Sequence, residues 1–297
     1  MNTLTITFLA ASLAALANLF YRKNGEKQAA PGAYLVCYYF VSFLACFVIY
    51  PHLLIRHFNP TVAFFGALVG ILNVGVMWLT AKAFQKGPAG MTYAFQNGSS
   101  VFPNLILFFI FGSAYGFVVT LPQLAGMGLV LLGLYLAAGP VKGVSRGWLE
   151  FVVACLVVQT AALTLMQWRC LLYTPHENGH TLIPASFSSQ DDCWFMPALF
   201  LSALIFQLLL FYREKRWIES TELLFGTAGG TINAVSTALL LVATRTAAPI
   251  EKGVIFPLFA VAVIVLCNLW GYKLYNEKIH VKANLLCASG ILVASLL

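Results

Sequence analysis

Five residues recur in one register across this chain: Thr61, Phe65, Gly66, Gly70 and Asn73 face Thr221, Phe225, Gly226, Gly230 and Asn233 at a constant offset of 160. The same offset matches Leu79 with Leu239 and Ala83 with Ala243, and upstream it sets Phe40, Ser42 and Leu44 against Phe200, Ser202 and Leu204. Each copy holds five apolar segments. An odd number of membrane crossings per copy turns the second copy upside down relative to the first, the inverted-repeat plan of secondary transporters, whose substrate site lies near the bilayer midplane.

The apolar segments are roughly 3–21, 31–50, 61–84, 90–112, 121–139, 148–168, 193–212, 222–243, 251–272 and 283–297. Most reach the ~20 residues needed to cross the hydrocarbon core as helix, and the last is short. With 60% hydrophobic and 9% charged residues, the chain lacks the quarter or so of charged residues that keeps a soluble domain in water. The predicted fold class is therefore all-α and integral to the membrane: ten transmembrane helices in two inverted five-helix repeats. One transmembrane transporter domain, residues 1–297, comprises repeat 1 (1–140) and repeat 2 (147–297), which meet in the short stretch Pro140–Arg146. Positive charges follow the first segment (Arg22, Lys23, Lys27) rather than precede it. A secretory signal has the opposite order, so helix 1 is expected to be retained.

The net charge of +7 reflects topology rather than a nucleic-acid partner. Loops 1–2, 3–4, 5–6, 7–8 and 9–10, with adjoining helix ends, carry 13 of the 17 Lys and Arg; the other side has Arg56, Arg169, Arg245 and Lys252. Excess Lys and Arg mark the cytoplasmic face, which places both termini outside, in the plasma membrane of a bacterium (its inner membrane). Cys170 and Cys193 flank the long loop 6–7, and spacing alone leaves open whether they pair.

Helices 1 and 6 match at an offset of 147, Ala14-Ala15-Leu16 with Ala161-Ala162-Leu163 and Tyr21-Arg22 with Trp168-Arg169; helices 4 and 9 share Phe102-Pro103 and Phe256-Pro257, each preceded by a glycine, Gly98 or Gly253. Ala89 leading to Phe102-Pro103, Ala247-Ala248 leading to Phe256-Pro257, and Asn276-Glu277-Lys278 before helix 10 resemble elements of the drug/metabolite transporter superfamily, in particular its EamA-like group. The resemblance implies a ten-helix, five-plus-five carrier. The Glu251-Lys252 element at helix 9 is similar to an Asn-Lys pair in nucleotide-sugar and sugar-phosphate members, which implies that Lys252 contacts substrate.

Polar side chains in hydrocarbon cost a few kcal/mol unless partnered or facing water, so they point toward a cavity. Asn73 and Asn233 hold equivalent places on helices 3 and 8, as cavity lining or as interhelical glue. The small-xxx-small pairs Gly66/Gly70 and Gly226/Gly230 read as close helix packing. Gln96-Asn97 and Glu251-Lys252 occupy matching places ahead of the two prolines, where helix entries attract anions. An ammonium such as that of Lys252 suits a carboxylate or phosphate. Glu251 is the proton-coupling candidate, because burial raises a carboxylate's pKa toward neutrality. Asn18, Gln167, Trp78 and Tyr93 complete the substrate-binding set, with Gln159, Tyr38 and Tyr39 as further polar groups within spans. Glu150 and Glu222 sit at helix beginnings, where acidic residues favour the macrodipole.

His176-Glu177-Asn178-Gly179-His180 satisfies the zinc-peptidase pattern, yet Pro175 precedes it and Gly179 interrupts it within a polar loop, so the pattern is read as coincidence. No metal, cofactor or catalytic residue is assigned, and the chain is not read as an enzyme. No phosphate-binding loop of the Gly-x-x-x-x-Gly-Lys-Ser/Thr kind occurs. Energy for transport must then come from a gradient, with a proton as the coupling ion, or from exchange of a second metabolite. The expected function is secondary active transport of a small polar or amphipathic metabolite (amino acid, sugar or nucleotide-type, anionic forms included). Alternatives are export of multiple drugs or lipid-linked substrates and, outside transport, a membrane scaffold or a membrane peptidase using the histidine loop.

Overall fold

The computed structural model describes residues 2–27, 31–55, 57–115, 117, 119–138, 146–172, 189–246, 249–276 and 281–294, and of a few helix-end residues among these it describes the backbone alone. Helices dominate: α1 (Thr3–Lys27), α2 (Gly32–Ile49), α3 (Pro60–Phe84), α4 (Ala89–Gly98), α5 (Pro103–Phe111), α6 (Leu121–Ala138), α7 (Arg146–Leu171), α8 (Phe195–Tyr212), α9 (Ser220–Thr246), α10 (Pro249–Tyr275) and α11 (Val281–Ala294). Among the described residues, eight helical segments are long and apolar enough to cross a membrane, counting α4 and α5 as one; α6 and α11 are apolar but shorter. The protein is thus all-helical, with the spans of a multi-pass membrane protein. Its outer surface agrees: Phe8, Val48, Phe64, Phe109, Leu121, Tyr135 and Leu209 are exposed, as lipid-facing side chains are.

Local chemistry sets the boundaries. Asn59 caps α3, its Oδ1 accepting from Val62 N at 3.1 Å, with Pro60 in the first turn. Gly112 ends α5 at φ +78°, a conformation costly for residues with a Cβ. The fourth apolar run, expected as one helix over 90–112, is interrupted: α4 ends at Gly98, a 3-10 turn covers Ser99–Val101, and Pro103 starts α5. The corresponding Pro257 is carried inside an unbroken α10. At the break Ser99 Oγ donates to the Gln96 carbonyl, three residues back.

Packing follows a pattern that survives exchange of the two halves. α3 lies against α7 and α8, and α9 against α1 and α2; α1 meets α10, and α7 meets α4 and α5; α2 meets α8, α4 meets α10, and α6 meets α11. The repeated glycines carry the tightest of these contacts. A Cβ at Gly66 or Gly70 would collide with the carbonyl of Phe195 or Leu199 on α8, and one at Gly226 or Gly230 with that of Tyr34 or Tyr38 on α2. Ser42 Oγ donates to Gly230 O at 2.9 Å, and Ser202, its counterpart, donates to Ala67 O at 2.9 Å. The packing reading of these glycines therefore holds, and hydroxyl-to-carbonyl bonds beside them fix the approach.

Glu222 does more than complement a helix dipole. It is fully buried, its two carboxylate oxygens accept from Arg216 Nη1 and Nη2 at 2.8 Å each, and it also accepts from Glu219 N. Arg216 donates as well to Glu214, whose carboxylate lies against Gly32 at the start of α2. The hydrogen bonds to Glu222 raise the guanidinium's pKa still further, so Arg216 remains charged. Glu222→Gln should cost about 2–4 kcal/mol, the lower part of the range for breaking a buried pair, because Arg216 is partly exposed. Chemical denaturation in detergent measures it; a loss below about 0.5 kcal/mol would show the bridge to be ornamental, as exposed pairs often are.

Candidate substrate site

Two aromatic clusters plug opposite ends of the bundle. At the end where α1, α3 and α10 terminate, rings from five helices touch in succession. Tyr39, Tyr38 and Tyr34 lie on α2, Tyr21 on α1, Phe84 on α3, Tyr93 on α4, and Trp270 and Tyr275 on α10, with successive centroids 5.3 to 5.9 Å apart. The Arg22 guanidinium lies over both Phe84 and Tyr275, 5.3 Å from each centroid, which ties the first half to the second. Hydrogen bonds hold the phenols: Tyr21 Oη donates to Met77 O, Tyr93 Oη to Asn18 O at 3.2 Å, and Tyr39 Oη to Asn73 Oδ1 at 3.4 Å. Outside this plug lies a cavity of about 40 Å³, lined by Tyr21, Arg22, Gly25, Pro31, Ala81, Phe84 and Gln85. It has room for a few water molecules and is too small for a metabolite.

At the other end, Trp168 on α7 packs against Phe65 on α3 (5.7 Å) and Phe111 on α5 (5.1 Å). Arg169, 3% exposed, lies 4.3 Å from the Phe195 centroid, and its Nη1 is 3.0 Å from Asp192 Oδ1. Trp168-Arg169 is the repeat counterpart of Tyr21-Arg22. Phe65 and Phe84 thus mark the two ends along α3, about 28 Å apart at 1.5 Å per residue, with Asn73 between them.

Two predicted site residues meet beside the first cluster, to which Tyr93 belongs. Asn18 Nδ2 is 3.8 Å from Cys267 Sγ on α10, and its carbonyl receives Tyr93, so Asn18, Tyr93 and α10 share one locus. Asn73 Oδ1 accepts from Tyr39, at the far end of the same ring series. Asn73, Gln159 and Asn233, at or beside the midpoints of α3, α7 and α9, are half-buried, as are Asn18 and Gln167. Such intermediate exposure at mid-span suits residues lining an internal space.

Other candidates are placed differently. Asn97 Nδ2 donates to Tyr93 O in its own helix at 2.9 Å, so its amide serves α4 itself. Trp78 is 42% exposed and carries Lys82 Nζ over its ring at 5.5 Å, the arrangement of an interfacial anchor. Glu251 and Lys252 stand in the first turn of α10, at the end of the protein away from Trp270 and Tyr275; their side chains fall outside the described residues. The histidine-glutamate pattern at 176–180 and Glu277-Lys278 also lie outside them. Cys170 and Cys193 are both thiols. Sequence reasoning passed over Arg22, Tyr34, Phe84, Trp270 and Tyr275 as site residues. The one available signal was the alignment of Tyr21-Arg22 with Trp168-Arg169.

A scan against protein-family models returned no match, and a search of curated proteins returned none either.

Proposed function

We propose that the protein is a secondary carrier of the drug/metabolite transporter type, with ten spans in two inverted halves that rock about a site near Asn18, Asn73, Tyr93 and Asn233. The observation that carries this reading is the equivalence of the two plugged ends. An aromatic-arginine pair from α1 closes one, its counterpart from α7 closes the other, and half-buried polar groups lie between. Helix contacts that survive exchange of the halves support the inverted repeat, as do the paired serine and glycine contacts.

In this account each plug opens in turn while the other stays shut. Parting α1 from α10 separates Arg22 from Tyr275 at the basic end; parting α7 from α3 and α5 separates Trp168 from Phe65 and Phe111. The basic end faces the cytoplasm by the charge count, in a bacterial inner membrane. The solute is a small polar or amphipathic metabolite, moved without chemical change, and a proton gradient acting through Glu251 or exchange for another metabolite supplies the energy.

A thermal-shift panel of the detergent-purified protein tests the reading, with D-glucose, uridine, L-leucine and glycerol 3-phosphate as probes. A carrier is expected to be stabilised by one class, by several degrees at saturating probe, and Asn73→Leu should remove the shift. If only the phosphate probe acts and Lys252→Ala alone abolishes its effect, the site belongs at the entry of α10 instead. Absence of any shift would favour the scaffold.

A further inference from the structure

The break in the fourth span holds two buried oxygens that nothing in the fold uses. Ser100 is 8% exposed and its Oγ has no hydrogen-bond partner; the buried Oε1 of Gln96 has none either. Gln96 stands in the last turn of α4 and Ser100, four residues on, in the 3-10 turn that follows, so both oxygens belong to the break itself. Leaving a buried polar atom unsatisfied is costly, and two at one kink, on a helix that already contributes Tyr93 to the central cluster, mark a place for a ligand group. The turn packs against α7, α10 and α11, and the core around it comprises Phe95, Val101, Val130, Leu134 and Ile264. Such apolar surroundings penalise a full charge heavily. A hydroxyl group donates and accepts at once, and so matches the serine hydroxyl and the glutamine carboxamide together.

We propose that Gln96 and Ser100 form an uncharged subsite that takes a hydroxyl group of the carried solute. This rests on the carrier reading and narrows its substrate to solutes with a neutral hydroxylated portion, of which a sugar or a nucleoside is the type.

The test is labelling of full-length Ser100→Cys in membrane vesicles by a small uncharged methanethiosulfonate reagent, with the wild-type protein as blank and Asn73→Cys in parallel. Ser100→Cys should label, and D-glucose or uridine at saturating concentration should slow it at least threefold, while acetate and choline leave the rate unchanged. Adding Gln96→Leu to Ser100→Cys should abolish the protection without abolishing labelling. Labelling that no probe slows would mean that resident water fills the kink and would overturn the subsite, as would protection by the charged probes alone. If Asn73→Cys labels and Ser100→Cys does not, the subsite fails while the carrier stands. If neither labels, the carrier reading fails with it.

Discussion

Asp192→Ala is expected to destabilise the protein by about 3–5 kcal/mol, the cost of removing one partner of a buried ion pair. Arg169 is 3% exposed and Asp192 is 14% exposed, with 3.0 Å between Nη1 and Oδ1. The ring of Phe195 remains under the guanidinium, but a cation-π contact does not replace a carboxylate in surroundings this dry. Removing both charges should recover much of the loss, so Arg169→Met combined with Asp192→Ala is expected to be more stable than Asp192→Ala alone. Denaturation midpoints of the three variants in one detergent decide it. Equal losses in the single and double variants would mean that packing at the α7–α8 end, rather than the ion pair, carries the energy. Because this pair stands beside the Trp168 plug, the single variant should also expose that end to water-soluble thiol reagents at Cys170.

Gly70→Leu and Gly230→Leu are expected to abolish most folded protein, and to do so equally. Each glycine lies where a carbonyl of the neighbouring helix occupies the space a Cβ would need: Leu199 for Gly70 and Tyr38 for Gly230. Overpacking a core costs about 1–3 kcal/mol, and more when the obstacle is helix backbone that cannot rotate aside. Gly128 on α6 is the control, because a Cβ there meets nothing within 4 Å; Gly128→Leu should express normally. Expression and gel-filtration profiles provide the measurement. A large effect at Gly70 with none at Gly230 would break the equivalence of the halves on which the carrier reading depends.

Most of the architecture was legible because its signals are local or periodic. Apolar runs located the helices to within a few residues, and the glycines paired by the offset of 160 each meet a carbonyl of a neighbouring helix. Other features needed knowledge of local contacts that composition does not contain. Phe102-Pro103 and Phe256-Pro257 look alike, yet the first breaks its span and the second does not. Asn97 gives one amide N–H to a carbonyl one turn back in its own helix.

The site was only partly legible, since its contacts join residues far apart in sequence. Arg22 reaches Tyr275, and Asn18 reaches Cys267; neither pairing leaves a trace in spacing. Polar residues in apolar runs singled out Asn18, Asn73 and Tyr93; in the structure Tyr93 donates to the Asn18 carbonyl and Tyr39 to Asn73 Oδ1. Aromatic residues are too common in membrane helices to single out those forming a plug, so Phe84 and Trp270 were indistinguishable from lipid-facing neighbours. Trp78 shows the converse, an aromatic residue at span depth that serves the surface.

The most direct test of the central claim is the sidedness of water access to the middle of α3. Asn73→Cys should be labelled by a membrane-impermeant, charged thiol reagent applied to right-side-out vesicles, and equally when applied to inside-out vesicles, above the background from the native cysteines, of which Cys170 is partly exposed. Access from both faces to one mid-span position, with no ion leak through the protein, is the behaviour of two halves that open alternately. Labelling from one face only, or from neither, would contradict alternating access about this site.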